Sequence, residues 1–147
     1  MKRVDTSEWP CPIARSAAVL GDHWNLLLIR QACLGTRRFE EFQHELGIGR
    51  NMLTQRLAGL VEEGMLRRVV YQQNPVRHEY RLTDKGLDLY PVLTALAEWG
   101  AQYVADPEGA AVEMAHRGCG EQVHAVLVCD ADHRLDDMRE VTPRPGP

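Results

Sequence analysis

Six of the seven positions from 50 to 56 hold Arg50, Asn51, Met52, Thr54, Gln55 and Arg56, a set of side chains suited to reading an edge lined with hydrogen-bonding groups. Asn and Gln each present a donor and an acceptor side by side, which matches the major-groove edge of adenine, and Arg reaches guanine or phosphate. Leucine recurs through the same stretch at 53, 57 and 60. With those three turned inward, a helix advancing about 100° per residue sets Asn51, Gln55, Ala58, Gly59 and Glu62 on the outer face. Arg50 to Gln55 then lie toward the helix N-terminus, the end that enters a major groove. On their own these residues read equally as a solvated polar face; their neighbours decide between the two.

Just downstream, Arg67, Arg68, Arg77, His78 and Arg81 fall on two short segments rich in β-branched and aromatic residues, 66–72 and 78–82. The polar residues 73–77 between them carry turn formers, so the pair reads as a hairpin. Positive charge of this kind supplies affinity for phosphate and fixes register without reading sequence. Protection of an edge strand by charge is the plainer alternative. Beside a polar helix, the hairpin is better read as a wing that clamps a nucleic-acid backbone.

These groups need a scaffold, and the sequence supplies one. Cys11 and Pro12 open a first helix ending at Gly21, since proline fits the first helical position and pushes its predecessor into extended backbone. Asp22 is a good cap for a second helix over 23–34, apolar nearly all round and so placed at the buried centre. A short third helix over 38–46 carries Phe39, Phe42 and Leu46 on one side. Gly47 and Gly49 bracket a tight turn, and the fourth helix follows over 50–63. Helix, glycine turn and helix at this spacing is the sequence form of a helix-turn-helix. Thr83 then caps a long helix over 84–104 that Pro91 should kink. Asp106–Gly109 marks a break, 122–129 reads as a strand, and Thr142–Pro147 as a disordered end. The expected fold class is mainly α with a small β-hairpin (α+β).

Catalytic alternatives fail on spacing. The chain has no GxSxG, HExxH, P-loop or GxGxxG motif, and its adjacent carboxylate pairs diverge by about 100° on a helix. Cys11, Cys33, Cys119 and Cys129 form no CxxC pair, which argues against a thiol redox enzyme. His116, Cys119, Cys129 and His133 offer four ligands that could make a tetrahedral zinc site. Their spacing is not that of a zinc finger, and they read as scattered polar residues and small buried thiols. No cofactor is implied.

Composition sets the outer limits. At 147 residues, with 44% apolar and 26% charged side chains, the chain suits one domain able to bury a core. No apolar run approaches the roughly 18 residues of a membrane span, and nothing apolar follows the first residues to make a secretory signal, so a cytoplasmic location is expected. The net charge of −4 is uneven. Residues 1–104 hold 13 Lys/Arg against 12 Asp/Glu, and residues 105–147 hold 4 against 9. That division sets residues 105–147 apart as an acidic extension, and residues 1–104, which hold the polar helix, the hairpin and the long helix, are the expected DNA-binding and dimerisation domain. An acidic total excludes a non-specific nucleic-acid coat and leaves room for a local basic face.

The ordered series Cys11-Pro12-Ile13, Val19 to Trp24, Leu34-Gly35, Arg38-Phe39, Leu53 to Leu57, Glu62-Glu63-Gly64, Glu79-Tyr80, Leu82-Thr83, Lys85-Gly86 and Leu96 to Gly100 resembles the HxlR family of bacterial transcriptional regulators, relatives of the MarR group. The resemblance covers about residues 9–104 and implies a winged helix-turn-helix with an N-terminal helix and a long C-terminal dimerisation helix. It implies a homodimer on a pseudo-palindromic duplex DNA operator, acting as a repressor or an activator, with room for a small-molecule or oxidant effector. A winged-helix module that binds protein and not DNA is the alternative; it would show an acidic or apolar wing, and this one is basic. Two departures stand out: Gly49 where relatives often carry a capping serine, and Val69 where many carry another basic residue.

Trp9, Ile13, Val92, Leu93, Leu96, Trp99 and Tyr103 are the expected dimer interface, since the long helix carries one apolar stripe wide enough for a two-fold mate. Cys11 is the candidate sensor. As a helix cap its sulfur would lie against unpaired N–H groups at the positive end of the dipole with Arg15 one turn away, an arrangement that favours the reactive thiolate. An inert small cap beside Trp9 is the plainer reading.

Overall fold

The computed structural model describes residues 4–104 and 113–146. Contacts divide the chain into two compact units that meet between Leu89 and Tyr90, so the long helix groups with the tail rather than ending a domain at residue 104.

The first unit begins with α1 (Pro12–Leu20), α2 (His23–Cys33), α3 (Phe39–Leu46) and α4 (Arg50–Glu62). Asp22 caps α2 as expected, its Oδ1 accepting from the Trp24 amide at 3.0 Å. Glu41 closes the start of α3 by accepting from the backbone amides of Arg38 and Arg37 at 3.0 and 3.2 Å. Those two bonds, Arg38 first, hold the Glu41 carboxyl below its ordinary range. Gly47 leaves α3 at φ 60°, a left-handed turn that glycine makes without a Cβ penalty, and it points Ile48 into the core.

That core is small and dense. Leu28, Ile29 and Ala32 of α2, Phe42 of α3, Ile48, and Leu53, Leu57 and Leu60 of α4 are all buried, together with Met65 and Leu66. Each fully buried leucine contributes roughly 1.5–3 kcal/mol, so the leucine stripe is what holds α4 in place.

The hairpin is tighter than its sequence suggests. β1 (Leu66–Gln73) pairs antiparallel with β2 (Val76–Leu82) around a two-residue turn, Asn74-Pro75, joined by a cis peptide. Val76 and Arg77 therefore belong to a strand, where Val76 pairs with Gln73 and Arg77 with Gln72. Tyr71 is squeezed out of register between Val70 and Gln72. On its outer edge β2 donates one further bond, from the Tyr80 amide to the Arg37 carbonyl at 2.7 Å.

Thr83 caps α5 (Asp84–Leu87), accepting from the Gly86 amide at 3.2 Å. The expected continuous helix over 84–104 is instead two helices. α5 stops after one turn, and α6 (Tyr90–Tyr103) starts afresh with Pro91 in its first turn. Proline costs little there, because the amide it lacks has no helical partner at that position, whereas inside a single helix it would break the ladder.

In the second unit, α6 buries Leu93 and Thr94, and the Thr94 hydroxyl donates to the Tyr90 carbonyl at 2.8 Å. The tail forms a small hairpin, β3 (Leu127–Val128) with β4 (Arg134–Leu135), and a 3-10 turn at Met138–Glu140. The strand expected over 122–129 is thus two residues long, with one separate bridge between Ala115 and Gln122. It is cut short at its start, where the Val123 amide donates to the Met114 carbonyl at 2.7 Å and the Ala125 amide to the Glu98 carboxylate at 3.0 Å, so neither is free for a strand partner. After β3 the chain reverses at Asp132, which takes φ 60°, a conformation Asp tolerates better than most residues. Residues 142–146 carry no regular element. The break expected at 106–109 lies outside the described residues.

Candidate nucleic-acid interface

α4 presents the amide face that its leucine spacing predicts. Asn51, Thr54, Gln55, Ala58 and Glu62 are exposed opposite buried Leu53, Leu57 and Leu60. Gly49 occupies the N-cap with extended backbone and, having no side chain, caps nothing. Arg50 sets its guanidinium 5.2 Å from the centre of the Phe39 ring, and Met52 is partly exposed. The Thr54 hydroxyl donates to the Arg50 carbonyl one turn back at 2.9 Å and keeps its lone pairs for a ligand.

Arg56 departs from the expected pattern. Its Nη2 donates to Asp22 Oδ2 at 2.7 Å, in an ion pair whose side chains are only 32% and 18% exposed. Its Nε is buried without a partner among the described residues. The guanidinium is turned into the seam between α2 and α4 and away from the outer face.

On the hairpin, Arg67, Arg68, Arg77 and Arg81 are exposed and His78 is half-buried. Arg67 lies directly opposite Arg81, an unfavourable pairing of like charges. Glu79 offsets it: its Oε2 accepts from Arg81 at 3.0 Å, and its Oε1 lies 3.7 Å from Arg38 Nε. The Arg38 guanidinium in turn stacks 4.4 Å over the Tyr71 ring, the residue extruded at the bulge. Arg68 Nη2 contacts His78 Nδ1 at 3.0 Å. Guanidinium has only donors, so that nitrogen is the acceptor and the imidazole proton sits on Nε2. Arg67 and Arg77 make no ion pair among the described residues, which leaves them the least committed charges of the hairpin.

Sequence reasoning missed the Arg38–Tyr71–Glu79 group. The available signal was Glu79 itself, the one carboxylate inside an otherwise basic hairpin. The hairpin and α3 also meet through Tyr80 and Phe42, edge to face with centroids 6.5 Å apart. Wing and helix-turn-helix are therefore joined by an aromatic contact and an ion pair.

Of the expected interface residues, Trp9 and Ile13 are exposed, Ile13 by 80%, and no residue of α1 is buried. On α6, Val92, Leu96, Trp99 and Tyr103 are exposed along one stripe, with the last two rings 5.6 Å apart. Leu93 is the exception: at 8% exposure it is already consumed within the protomer, and at about 100° per residue it lies a quarter-turn to one side of the stripe's centre.

Cys11 takes the N-cap position of α1 and is half-buried, but its side chain accepts no hydrogen bond from the first turn. The expected contact between sulfur and unpaired amides is not made. In the tail, His116 Nδ1 lies 3.2 Å from Cys119 Sγ, on an exposed turn. Cys129 is half-buried, and among the described residues no three His, Cys, Asp or Glu side chains converge as a metal site. The thiol at 119 is not a buried one, as its spacing had suggested. Glu98 of α6 holds the tail instead, accepting from His124 Nδ1 at 2.6 Å and from the Ala125 amide at 3.0 Å. Among the described residues, no helix is long and apolar enough to cross a membrane.

Residues 19–108 match the family model described as HxlR-like helix-turn-helix. A protein of Mycobacterium tuberculosis strain H37Rv, described as an uncharacterized HTH-type transcriptional regulator, is 42% identical over 135 residues, covering 92% of this chain and 85% of its own. The crystal structure of PA1607 aligns with a TM-score of 0.82 at 35% identity, covering 97% of this chain and 100% of that one. The redox regulator HypR, in its oxidized form, aligns with a TM-score of 0.60 at 34% identity, over 65% of this chain and 100% of its own.

Proposed function

Because the chain belongs to the HxlR-like helix-turn-helix family of transcriptional regulators, which are not enzymes, we propose that it is a homodimeric repressor in the cytoplasm that binds a pseudo-palindromic duplex operator. The observation that carries this reading is the exposed face of α4 that holds Asn51 and Gln55, together with a hairpin whose exposed Arg67 and Arg77 carry no ion pair among the described residues. Asn51 and Gln55 read base edges from the major groove, with Arg50, Met52 and Thr54 around them, and Arg67, Arg68, Arg77, His78 and Arg81 hold phosphate. Two copies meet through Trp9, Ile13, Val92, Leu96, Trp99 and Tyr103. That pairing spaces two recognition helices for successive major grooves.

The test is an electrophoretic shift with duplex DNA from upstream of the protein's own gene, repeated at rising salt. Counterion release requires binding that weakens steeply as salt increases. A complex indifferent to salt, or no complex, overturns the reading.

A second reading adds an input. Cys11 is a half-buried thiol beside the exposed α1, and a structural neighbour is named as a redox regulator. In this reading an oxidant or electrophile modifies Cys11 and releases the operator.

A further inference from the structure

Asp22 spends its two carboxylate oxygens on two different helices. Oδ1 caps α2 through the Trp24 amide at 3.0 Å, and Oδ2 takes the Arg56 guanidinium of α4 at 2.7 Å. The cap fixes the carboxylate relative to the axis of α2, so whatever Oδ2 binds is fixed relative to that axis as well. The side chains that α4 itself buries are apolar: Leu53, Leu57 and Leu60. Apolar burial is strong but non-directional, so the leucine stripe holds α4 against the core without tying it to a particular atom of α2. A short charge-assisted bond adds that directional tie. Arg56 stands next to Gln55 and five positions after Asn51, on the helix that carries both.

We infer that Asp22 and Arg56 form a positioning couple that sets the rotation and height of α4, and with them the aim of Asn51 and Gln55, and that Arg56 is not a DNA contact. The inference rests on the DNA-binding reading above. It assigns Asp22, a negative residue outside the helix-turn-helix, a part in operator recognition. It also predicts which property fails when the couple is broken. Discrimination between sequences needs the readers aimed to a fraction of an ångström, whereas general attraction to the backbone needs only charge.

The experiment uses the full chain and a duplex selected by the wild-type protein from a random-sequence pool, with poly(dI-dC) as the non-specific competitor. Asp22→Asn is the informative variant, because asparagine caps a helix as well as aspartate does and so removes the tether while keeping α2 capped. Arg56→Gln removes the other half, and the double variant completes the cycle. The expected result is a loss of about 10-fold or more on the selected duplex for each single variant, with the double variant within about twofold of either single. Affinity for poly(dI-dC) falls no further for Arg56→Gln than for Asp22→Asn, and the salt slope stays at the wild-type value. A slope lower by about one in Arg56→Gln alone marks a phosphate contact and overturns the inference. So do additive losses, or an Asp22→Asn protein that binds the selected duplex as tightly as wild type. Circular dichroism melting identifies any variant that has simply unfolded; Arg56→Lys then replaces Arg56→Gln, and it must recover part of the discrimination. A wild-type protein that enriches no duplex from the pool overturns the DNA-binding reading itself, an outcome separate from these.

Discussion

The carbonyl of Met65 and the α-carbon of Gly86 lie so close that no β-carbon fits between them. A methyl at residue 86 would press into that carbonyl and come within 2.9 Å of Leu82 Cδ2. Gly86 is buried against Met65 and Leu82, held there by Thr83, whose hydroxyl accepts from the Gly86 amide and donates to the Gly64 carbonyl. Backbone, unlike a flexible side chain, cannot step aside. Gly86→Ala should therefore destabilise the fold by about 1–3 kcal/mol and lower the thermal midpoint by several degrees. An unchanged midpoint would mean that α5 relaxes away from β1 without penalty.

Readers and clamps should separate cleanly by mutation. Replacing Asn51 or Gln55 by alanine is expected to cost about 1–3 kcal/mol on the selected operator and almost nothing on non-specific DNA. Replacing Arg77 or Arg68 should weaken both alike and reduce the salt slope by about one per lost phosphate contact. Titrations at several salt concentrations measure both, and identical behaviour of the two groups refutes the assignment.

The stripe on α6 makes a prediction about assembly. Leu96→Glu places a charge among Val92, Trp99 and Tyr103, in the middle of an exposed apolar face. The variant should be monomeric by light scattering and should lose operator binding at the same time, since one half-site alone holds weakly. A Leu96→Glu protein that stays dimeric shows that the copies meet elsewhere.

The tail is fastened by a titratable group. The Glu98 carboxyl is held below its ordinary value of 4.5, first by the His124 hydrogen bond and then by the Ala125 amide. A lowered carboxylate stabilises the fastening fully above pH 4.5 and loses it as the pH falls through the lower, folded value. Amide exchange at Ala125, referred to a core amide such as Leu53, should accelerate below that pH. Glu98→Gln should exchange at Ala125 with no such step, and a step that persists in the variant places its origin elsewhere.

The sensor reading of Cys11 is tested by release. A mild oxidant or a quinone should dissociate the wild-type protein from its operator and leave Cys11→Ser bound. Equal release of both proteins would falsify it.

What was legible in the sequence is what depends on neighbours along the chain. Asp22 as a cap, the leucines at 53, 57 and 60, and the β-branched strands around a turn all follow from short-range rules, and the structure places them where those rules do. Pro91 was read as a kink because one continuous helix was expected over 84–104 with the proline in its interior, yet the same residue starts a helix more easily than it bends one. Arg56 was read as a DNA contact because its helix is otherwise a reading helix. Its partner lies 34 positions away, and no local pattern announces a bond at that range. Glu79 was passed over for the same reason: its meaning comes from Arg38, across the hairpin and before α3.

A helix that buries none of its residues within its own chain leaves part of the folding free energy to be collected from elsewhere. α1 is such a helix. If its cover is a second copy, mass action ties stability to abundance, and the melting temperature climbs as the protein is concentrated. A cell that makes little of the regulator would then hold it less folded and more readily degraded, and one that makes more would hold it firmly. Under that arrangement gene dosage is an input to the regulator, set by the bareness of the nine residues Pro12–Leu20.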